Sequence, residues 1–292
     1  MGSLKEIRVR IASVQSTQKI TGAMKMVSAA KLRKAQNAII SLRPYSNKLN
    51  EILQRVSDNT IASDELSLFE ERPIEHVLLV VLTSNRGLCG SFNVNVTKEV
   101  HRVIEEKYAQ QAAKGNVQII CIGKKGKEQL SKKYQILQSH EELIDAPTFY
   151  KSSEIATYLI NEFLNKKLDK VEIIYNRFIN PATQTLVTES FLPVTQTTRN
   201  SKNNTNSDYI FEPSKETILE ELIPKILKLQ FHKTIIDSIA SEHGARMTAM
   251  HKATDNATEI LRALKLKYNN ARQTAITTEL IEIVSGAEAL NG

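Results

Sequence analysis

The sequence predicts an α-rich α/β protein: a compact α/β domain inserted between two long terminal helices that pair antiparallel. Three observations carry this prediction. An apolar seam in 4,3 alternation runs through the last quarter of the chain, a second such seam fills the first 57 residues, and between them the pattern changes to short β-branched runs separated by glycine turns.

The C-terminal seam passes through Leu219, Leu222, Ile226, Leu229, Lys233, Ile236, Ala240, His243, Met247, Met250, Thr254, Ala257, Leu261, Leu264, Tyr268, Ala271 and Ala275. Only Lys233, His243 and Thr254 depart from the apolar rule. A seam that repeats every 3.5 residues stays buried only by supercoiling left-handed around a partner. At 1.5 Å per residue, the stretch from Pro213 onward makes a helix on the order of 110 Å long. Pro224 is the only breaker near the seam, and it leaves the later heptads untouched.

The N-terminal seam uses Leu4, Ile7, Ile11 and Val14, then Leu32, Ala35, Ile39, Leu42, Leu49, Leu53 and Val56. Between the two apolar sets the register continues through Gln18, Thr21, Lys25 and Ser28, so the seam there is polar and not shifted. Pro44 either kinks one helix or separates two. With a domain between them, two seams at opposite ends of the chain meet most easily head to tail.

The middle segment reads as strands and crossovers. Ile74 to Thr83 is a buried parallel strand leading through the turn-rich SNRGLCGSFN into a helical stretch that ends near Ala113. Val117 to Ile122 is a second strand and Val171 to Phe178 a third, while Thr183 to Val194 alternates as an edge or antiparallel strand. Thr197 to Asp208 is a polar loop. The domain is therefore a three-layer, Rossmann-like α/β sandwich. The chain divides into an N-terminal coiled-coil helix at 1–58, the α/β domain at 59–212 and a C-terminal coiled-coil helix at 213–292.

Composition narrows the function. The central turn lacks both the Gly-x-Gly-x-x-Gly and the Gly-x-x-x-x-Gly-Lys-Ser/Thr phosphate cradles, and the basic run from Gly123 to Lys127 reads as a solvated turn before it reads as an anion site. The six histidines are dispersed without metal-ligand spacing. Glu279 and Glu282 share a helix face, but with no dry pocket in which to tune an acid and a base. Neither an active site nor a cofactor is expected. The two cysteines, Cys89 and Cys121, make no disulfide framework and read as buried, inert thiols in a reducing compartment. The longest wholly apolar run, Val77 to Leu82, is far short of the ~20 residues of a membrane span.

Charge is unevenly placed. Residues 1–57 hold 11 Lys/Arg against 2 Asp/Glu, residues 58–212 hold 18 against 20, and residues 213–292 hold 10 against 10. A basic helical arm calls for an acidic partner. Its cations are spread along the seam-bearing helix with no aromatic platform, which favours carboxylates of another protein over nucleic acid. The competing reading is a basic coiled-coil scaffold or nucleic-acid-binding protein.

Three strings carry a resemblance: ASVQSTQKITGAMKMVSAAKLRKA, SNRGLCGSFN, and SEHGARMTAMHKATDNA followed by YNNARQTAITTELIEIVSGAEAL. In that order along the chain they resemble the gamma subunits of F-type ATP synthases. The resemblance implies a non-catalytic rotary shaft, one copy per complex. Such a shaft stands inside a hexamer of alpha and beta subunits, with its α/β domain on the epsilon subunit and the membrane c-ring, and couples proton flow to ATP synthesis or hydrolysis. It implies that Met24, Lys25 and Arg246 lie beside a carboxylate-rich segment of the catalytic subunits. It likewise implies that Arg272 and Gln273 engage a catch loop, supported by Thr277 and Glu279, and that Tyr209, Phe211 and Glu212 meet the rotor ring. The apolar tip with Ile283, Val284 and Leu290 would turn in an apolar sleeve. The implied location is peripheral, at the cytoplasmic face of a bacterial inner membrane. If Met24 and Arg246 share a level, Gly22 and Gly244 face each other across the helix pair.

Overall fold

Every residue from Val77 to Leu82 is buried, which a strand achieves only when both of its faces are covered. The computed structural model describes residues 4–57, 68–194 and 215–291 and places this strand, β1, at the centre of a five-stranded sheet. The elements in chain order are α1 (Leu4–Ser57), β1 (Val77–Leu82), α2 (Phe92–Lys107), α3 (Ala109–Ala113), β2 (Val117–Ile122), α4 (Lys124–Leu130), β3 (Ile136–Ser139), α5 (Glu142–Asp145), α6 (Phe149–Leu164), β4 (Lys170–Asn180), β5 (Thr183–Leu192) and α7 (Lys215–Asn291). The sheet order is β3-β2-β1-β4-β5. Pairings are parallel except between β4 and β5, which form an antiparallel edge.

Contacts divide the chain into two compact units, one of residues 1–28 with 247–292 and one of residues 29–246. In the larger unit, one face of the sheet presents Val77, Leu79 and Val81 with Val117, Ile119 and Cys121 to a cluster made by Val96, Val100, Val103 and Ile104 of α2 and Leu130 of α4. The two-residue strand period turns Leu78, Val80 and Leu82 to the opposite face. There, α6 and α7 are joined by a 2.8 Å hydrogen bond between Ser152 Oγ and His232 Nδ1. Phe191 of β5 and Phe231 of α7 lie 5.7 Å apart by ring centroid.

Several expectations change against this architecture. The basic run Lys124–Leu130 is a helix and not a solvated turn, with Gly126 N donating to Thr83 Oγ1 at 2.8 Å. A Cβ at Gly123 would stand 2.0 Å from the Thr83 carbonyl oxygen, so this glycine allows β2 to pass close to the end of β1. The short β3, α5 and α6 fall in sequence stretches whose pattern had given no element. The helical stretch after the central turn is two helices, α2 and α3, broken at Tyr108. Pro44 lies inside α1, which runs as one helix. The polar loop at 197–208 lies outside the described residues, as do Tyr209, Phe211 and Glu212.

α7 departs most from a simple seam. Between Phe231 and Gly244 every residue except Lys233 is buried, so this part of the helix is enclosed on all sides. The seam rule reasserts itself from Met247 onward: Met250, Ala257 and Leu261 are buried, Thr254, Leu264, Tyr268 and Ala271 are half-buried, and the residues between them mostly face outward. In α1 the positions Leu4, Ile7, Ile11, Val14, Gln18, Thr21, Lys25, Ser28, Leu32, Ala35, Ile39 and Leu42 are all buried or half-buried. The 4,3 register is therefore continuous through the polar stretch.

Candidate functional site

Within the smaller unit, polar bonds across the seam report how α1 and the end of α7 are aligned. Arg8 Nη2 donates to Tyr268 Oη at 2.8 Å, Gln18 Nε2 to Thr258 Oγ1 at 2.8 Å and Thr254 Oγ1 to Thr21 Oγ1 at 2.9 Å, while Lys25 Nζ lies 3.3 Å from His251 Nδ1. As the position in α1 rises from 8 to 25, its partner in α7 falls from 268 to 251. The helices are antiparallel and in register over that whole stretch. Arg8 also lies 5.7 Å from the centroid of the Tyr268 ring, and its hydrogen bond lowers the Tyr268 hydroxyl below the usual tyrosine range. The seam positions Gln18, Thr21 and Lys25 thus bond across the pair, which fixes register by directed contacts where apolar knobs are absent.

That register also corrects the expectation about the glycines. Gly22 lies next to Thr21, whose partner is Thr254, and a Cβ at Gly22 would meet nothing within 4 Å. Gly244 instead faces the β4-β5 hairpin, where a Cβ would come within 3.1 Å of the Pro181 carbonyl oxygen. Close approach is needed at Gly244 and not at Gly22. Replacing Gly22 by alanine is expected to stabilise the helix pair by about 1 kcal/mol through helix propensity alone, read as a higher midpoint in chemical denaturation. Gly244→Ala should gain less or lose stability.

In the larger unit, the loop between β1 and α2 and the middle of α7 are tied together by one side chain. Arg246 is 6 % exposed, and its Nη1 lies 2.7 Å from Glu242 Oε1, itself buried. Its Nε donates to the Gly87 carbonyl at 3.2 Å, its Nη2 to the Arg86 carbonyl at 3.0 Å, and its Nη1 lies 3.2 Å from His243 Nδ1. Burial, then the Arg246 and Lys31 cations, push His243 down to about 4, so at neutral pH the imidazole is uncharged and accepts from Arg246. Burial pushes the Glu242 carboxyl up against the opposing pull of Arg246.

The loop is held from its other side as well. Asn85 Nδ2 donates to the Glu141 carbonyl at 2.8 Å and to Asp145 Oδ2 at 2.9 Å, while Asn85 Oδ1 accepts from Lys124 N at 3.0 Å. Ser84, Cys89 and Asn93 form a buried network beneath it. On this fixed loop Leu88 takes a φ of 63° and is 61 % exposed.

A third cluster surrounds Asp237, which is 9 % exposed. Burial raises its carboxyl to about 6 against the pull of Lys233, Arg177 and Arg43. Arg177 also pairs with Glu189, which accepts a 3.1 Å bond from Tyr175 Oη. A folded-state value above the unfolded one contributes stability at low pH that is lost as pH rises through about 6. Asp237→Asn should therefore raise the unfolding free energy by about 1–2 kcal/mol at pH 7.5, with the gain vanishing toward pH 4. An unchanged or lower stability at pH 7.5 would contradict this.

Met24 and Lys25 are half-buried on α1, and Arg272, Gln273, Thr277 and Glu279 are all exposed on the last part of α7. Beyond them Leu280, Ile281, Ile283 and Val284 are each more than half exposed. Side chains at Leu290 lie outside the described residues. Sequence reasoning grouped Arg246 with Met24 and Lys25 but missed Glu242, His243 and the loop carbonyls it binds. The signal available was a run of charged and polar residues inside an apolar helix. Among the described residues no helix is long and apolar enough to cross a membrane, and no group of three or more His, Cys, Asp or Glu is placed to hold a metal ion.

A family model described as ATP synthase matches residues 3–290. Over 294 residues the chain is 52 % identical to the ATP synthase gamma chain of Cytophaga hutchinsonii, covering 100 % of both. The chain belongs to the ATP synthase gamma-chain family. It is also 53 % identical, over 292 residues and all of both chains, to the ATP synthase gamma chain of Flavobacterium johnsoniae. Its fold is similar to that of a chain of the Euglena gracilis mitochondrial ATP synthase, with a TM-score of 0.65 at 21 % identity and 98 % of this chain and 94 % of that one covered. This gamma-family kinship extends from end to end, and it leaves the scaffold or nucleic-acid reading without support. The predicted fold class, paired terminal helices with an inserted α/β domain, is the fold observed.

Proposed function

We propose that the chain is the central rotary shaft of an F-type ATP synthase and makes or breaks no bond itself. The observation that carries the reading is the full-length identity to gamma chains, at 52 % over 100 % of the chain. The antiparallel alignment of α1 with the end of α7 supports it physically, because two helices bonded at four successive levels resist twist better than one. In this reading residues 1–58 and 213–292 form the shaft, and 59–212 is the domain that sits on the epsilon subunit and the c-ring.

The alpha and beta subunits surround the shaft. Lys25 and Met24 meet acidic side chains of the catalytic subunits, and the exposed Arg272, Gln273, Thr277 and Glu279 offer hydrogen bonds to a catch loop. The exposed apolar residues from Leu280 to Val284 turn in an apolar sleeve, where no directed bond opposes rotation. Tyr209, Phe211 and Glu212 face the rotor ring. The complex holds the chain peripherally at the cytoplasmic face of a bacterial inner membrane. Affinity capture of the tagged full-length chain from its own cells, followed by intact mass measurement, tests the assignment. Three copies each of two larger nucleotide-binding subunits per copy of this chain are expected, and their absence would refute it.

A further inference from the structure

Arg246 has its donors committed inside the protein, to the Glu242 carboxylate, the His243 ring and two carbonyls of the β1-α2 loop. With 6 % of its surface exposed it has little left for a partner. The loop it holds is unusual in two independent ways. Leu88 has a φ of 63°, a left-handed conformation that is strained for a non-glycine residue and persists only where the surroundings over-determine it. Its side chain is 61 % exposed, so burial of Leu88 does not offset that cost. The stabilisation must come from the ties to the loop backbone. The Asn85 side chain anchors the loop on the α5 side, Ser84 Oγ donates to the Arg86 carbonyl from within the loop, and Arg246 binds the Arg86 and Gly87 carbonyls on the α7 side.

We propose that Arg246 is a positioning residue that clamps residues 84–90 onto α7, holding Leu88 and Arg86 outward as one rigid surface. The planar guanidinium is what the geometry requires: its fork reaches two successive carbonyls while its other edge meets the carboxylate, which a single ammonium cannot do. Glu242 balances the charge, and the neutral His243 ring accepts the remaining contact. Arg246 then affects any partner of the loop indirectly, through loop geometry. The proposal is independent of the rotary reading, since it concerns contacts within one unit of the chain.

The two cysteines provide the test. Cys89 lies on the clamped loop at 2 % exposure and Cys121 within β2 at 0 %. The loop thiol reports local opening, and the strand thiol reports unfolding of the sheet. In the full-length chain, alkylation by iodoacetamide is followed at each thiol by peptide mass. Arg246→Lys, which keeps the charge and loses the fork, is expected to speed labelling of Cys89 about tenfold and leave Cys121 unchanged, a local opening of loop and not sheet. Equal acceleration at both thiols, or none at either, would overturn the clamp. If the lysine variant does not fold, the double variant Glu242→Leu with Arg246→Met leaves no buried charge unpaired and is read by the same two thiols.

Discussion

Phe231→Ala is expected to lower the unfolding free energy of the larger unit by about 3–5 kcal/mol, the usual effect of emptying a fully buried phenylalanine site. Phe231 is 0 % exposed and lies against Phe191 of β5, so its removal leaves a cavity between α7 and the sheet that neither rigid neighbour can close. Leu266→Ala provides the contrast. Leu266 is on the same helix but 63 % exposed, and its loss should stay within about 0.5 kcal/mol. Denaturant titration followed by tyrosine fluorescence measures both, since the chain has 8 tyrosines and no tryptophan, with Tyr175 in the larger unit and Tyr268 in the smaller one. A Phe231 variant as stable as the parent would mean that the middle of α7 is not part of the sheet's core.

That expectation marks the boundary of what could be read from the chain alone. The heptad register was legible because it recurs: eight heptads of a 4,3 pattern from Leu219 to Ala275 cannot arise from noise, and the polar members Gln18, Thr21 and Lys25 of the N-terminal seam kept the spacing even where they lost the apolar character. The strands at 77–82 and 117–122 were legible for a related reason, since a short, mainly apolar run rich in valine and isoleucine has little else to be. α6 was not, although its apolar residues recur at helical spacing through Ile155, Leu159 and Phe163. Its start lies among the polar and aromatic residues Thr148, Phe149 and Tyr150, with no side-chain cap bond to mark it. β3 was missed because a four-residue edge strand with every residue half-buried shows neither alternation nor a continuous apolar run.

The site was legible in kind and not in detail. The family resemblance, through two different strings, grouped Arg246 with Lys25 and assigned both to a partner. Within the chain their surroundings differ. Lys25 is half-buried on α1 and its ammonium meets His251, whereas Arg246 is enclosed by Glu242, His243 and two loop carbonyls. The 4,3 spacing puts His243 on the seam, but nothing in the spacing of SEHGAR announces that Glu242 and Arg246 would face inward as well, because a helix of seam type has only one buried face. Here the sheet supplies a second wall, so the residues a seam would leave outside become interior. An interior arginine must then be neutralised and fully bonded, which explains why an acid and an imidazole accompany it within one helical turn.

The same enclosure makes the larger unit sensitive to acid. His243 sits at about 4 when folded because burial, then Arg246 and Lys31, oppose a second positive charge, with Asp145 pulling weakly the other way. In the unfolded chain the imidazole titrates near the ordinary value of about 6.5. Between those values the unfolded chain takes up a proton that the folded chain refuses, so stability is fully present above about 6.5 and falls as pH drops toward about 4. By pH 4.5 this one group accounts for a loss of roughly 2–3 kcal/mol. Asp237 and Glu242, both raised by burial, tilt the curve the opposite way, so the total profile is flatter than any single contribution. The difference between the parent and His243→Gln isolates the imidazole, because a glutamine oxygen still accepts from Arg246 but takes up no proton. The variant's deficit at pH 7.5 should shrink or reverse by pH 4.5. Parallel stability curves across that interval would show that a proton reaches His243 without disturbing the Arg246 cluster, and with it the assignment of His243 as a neutral acceptor would fail.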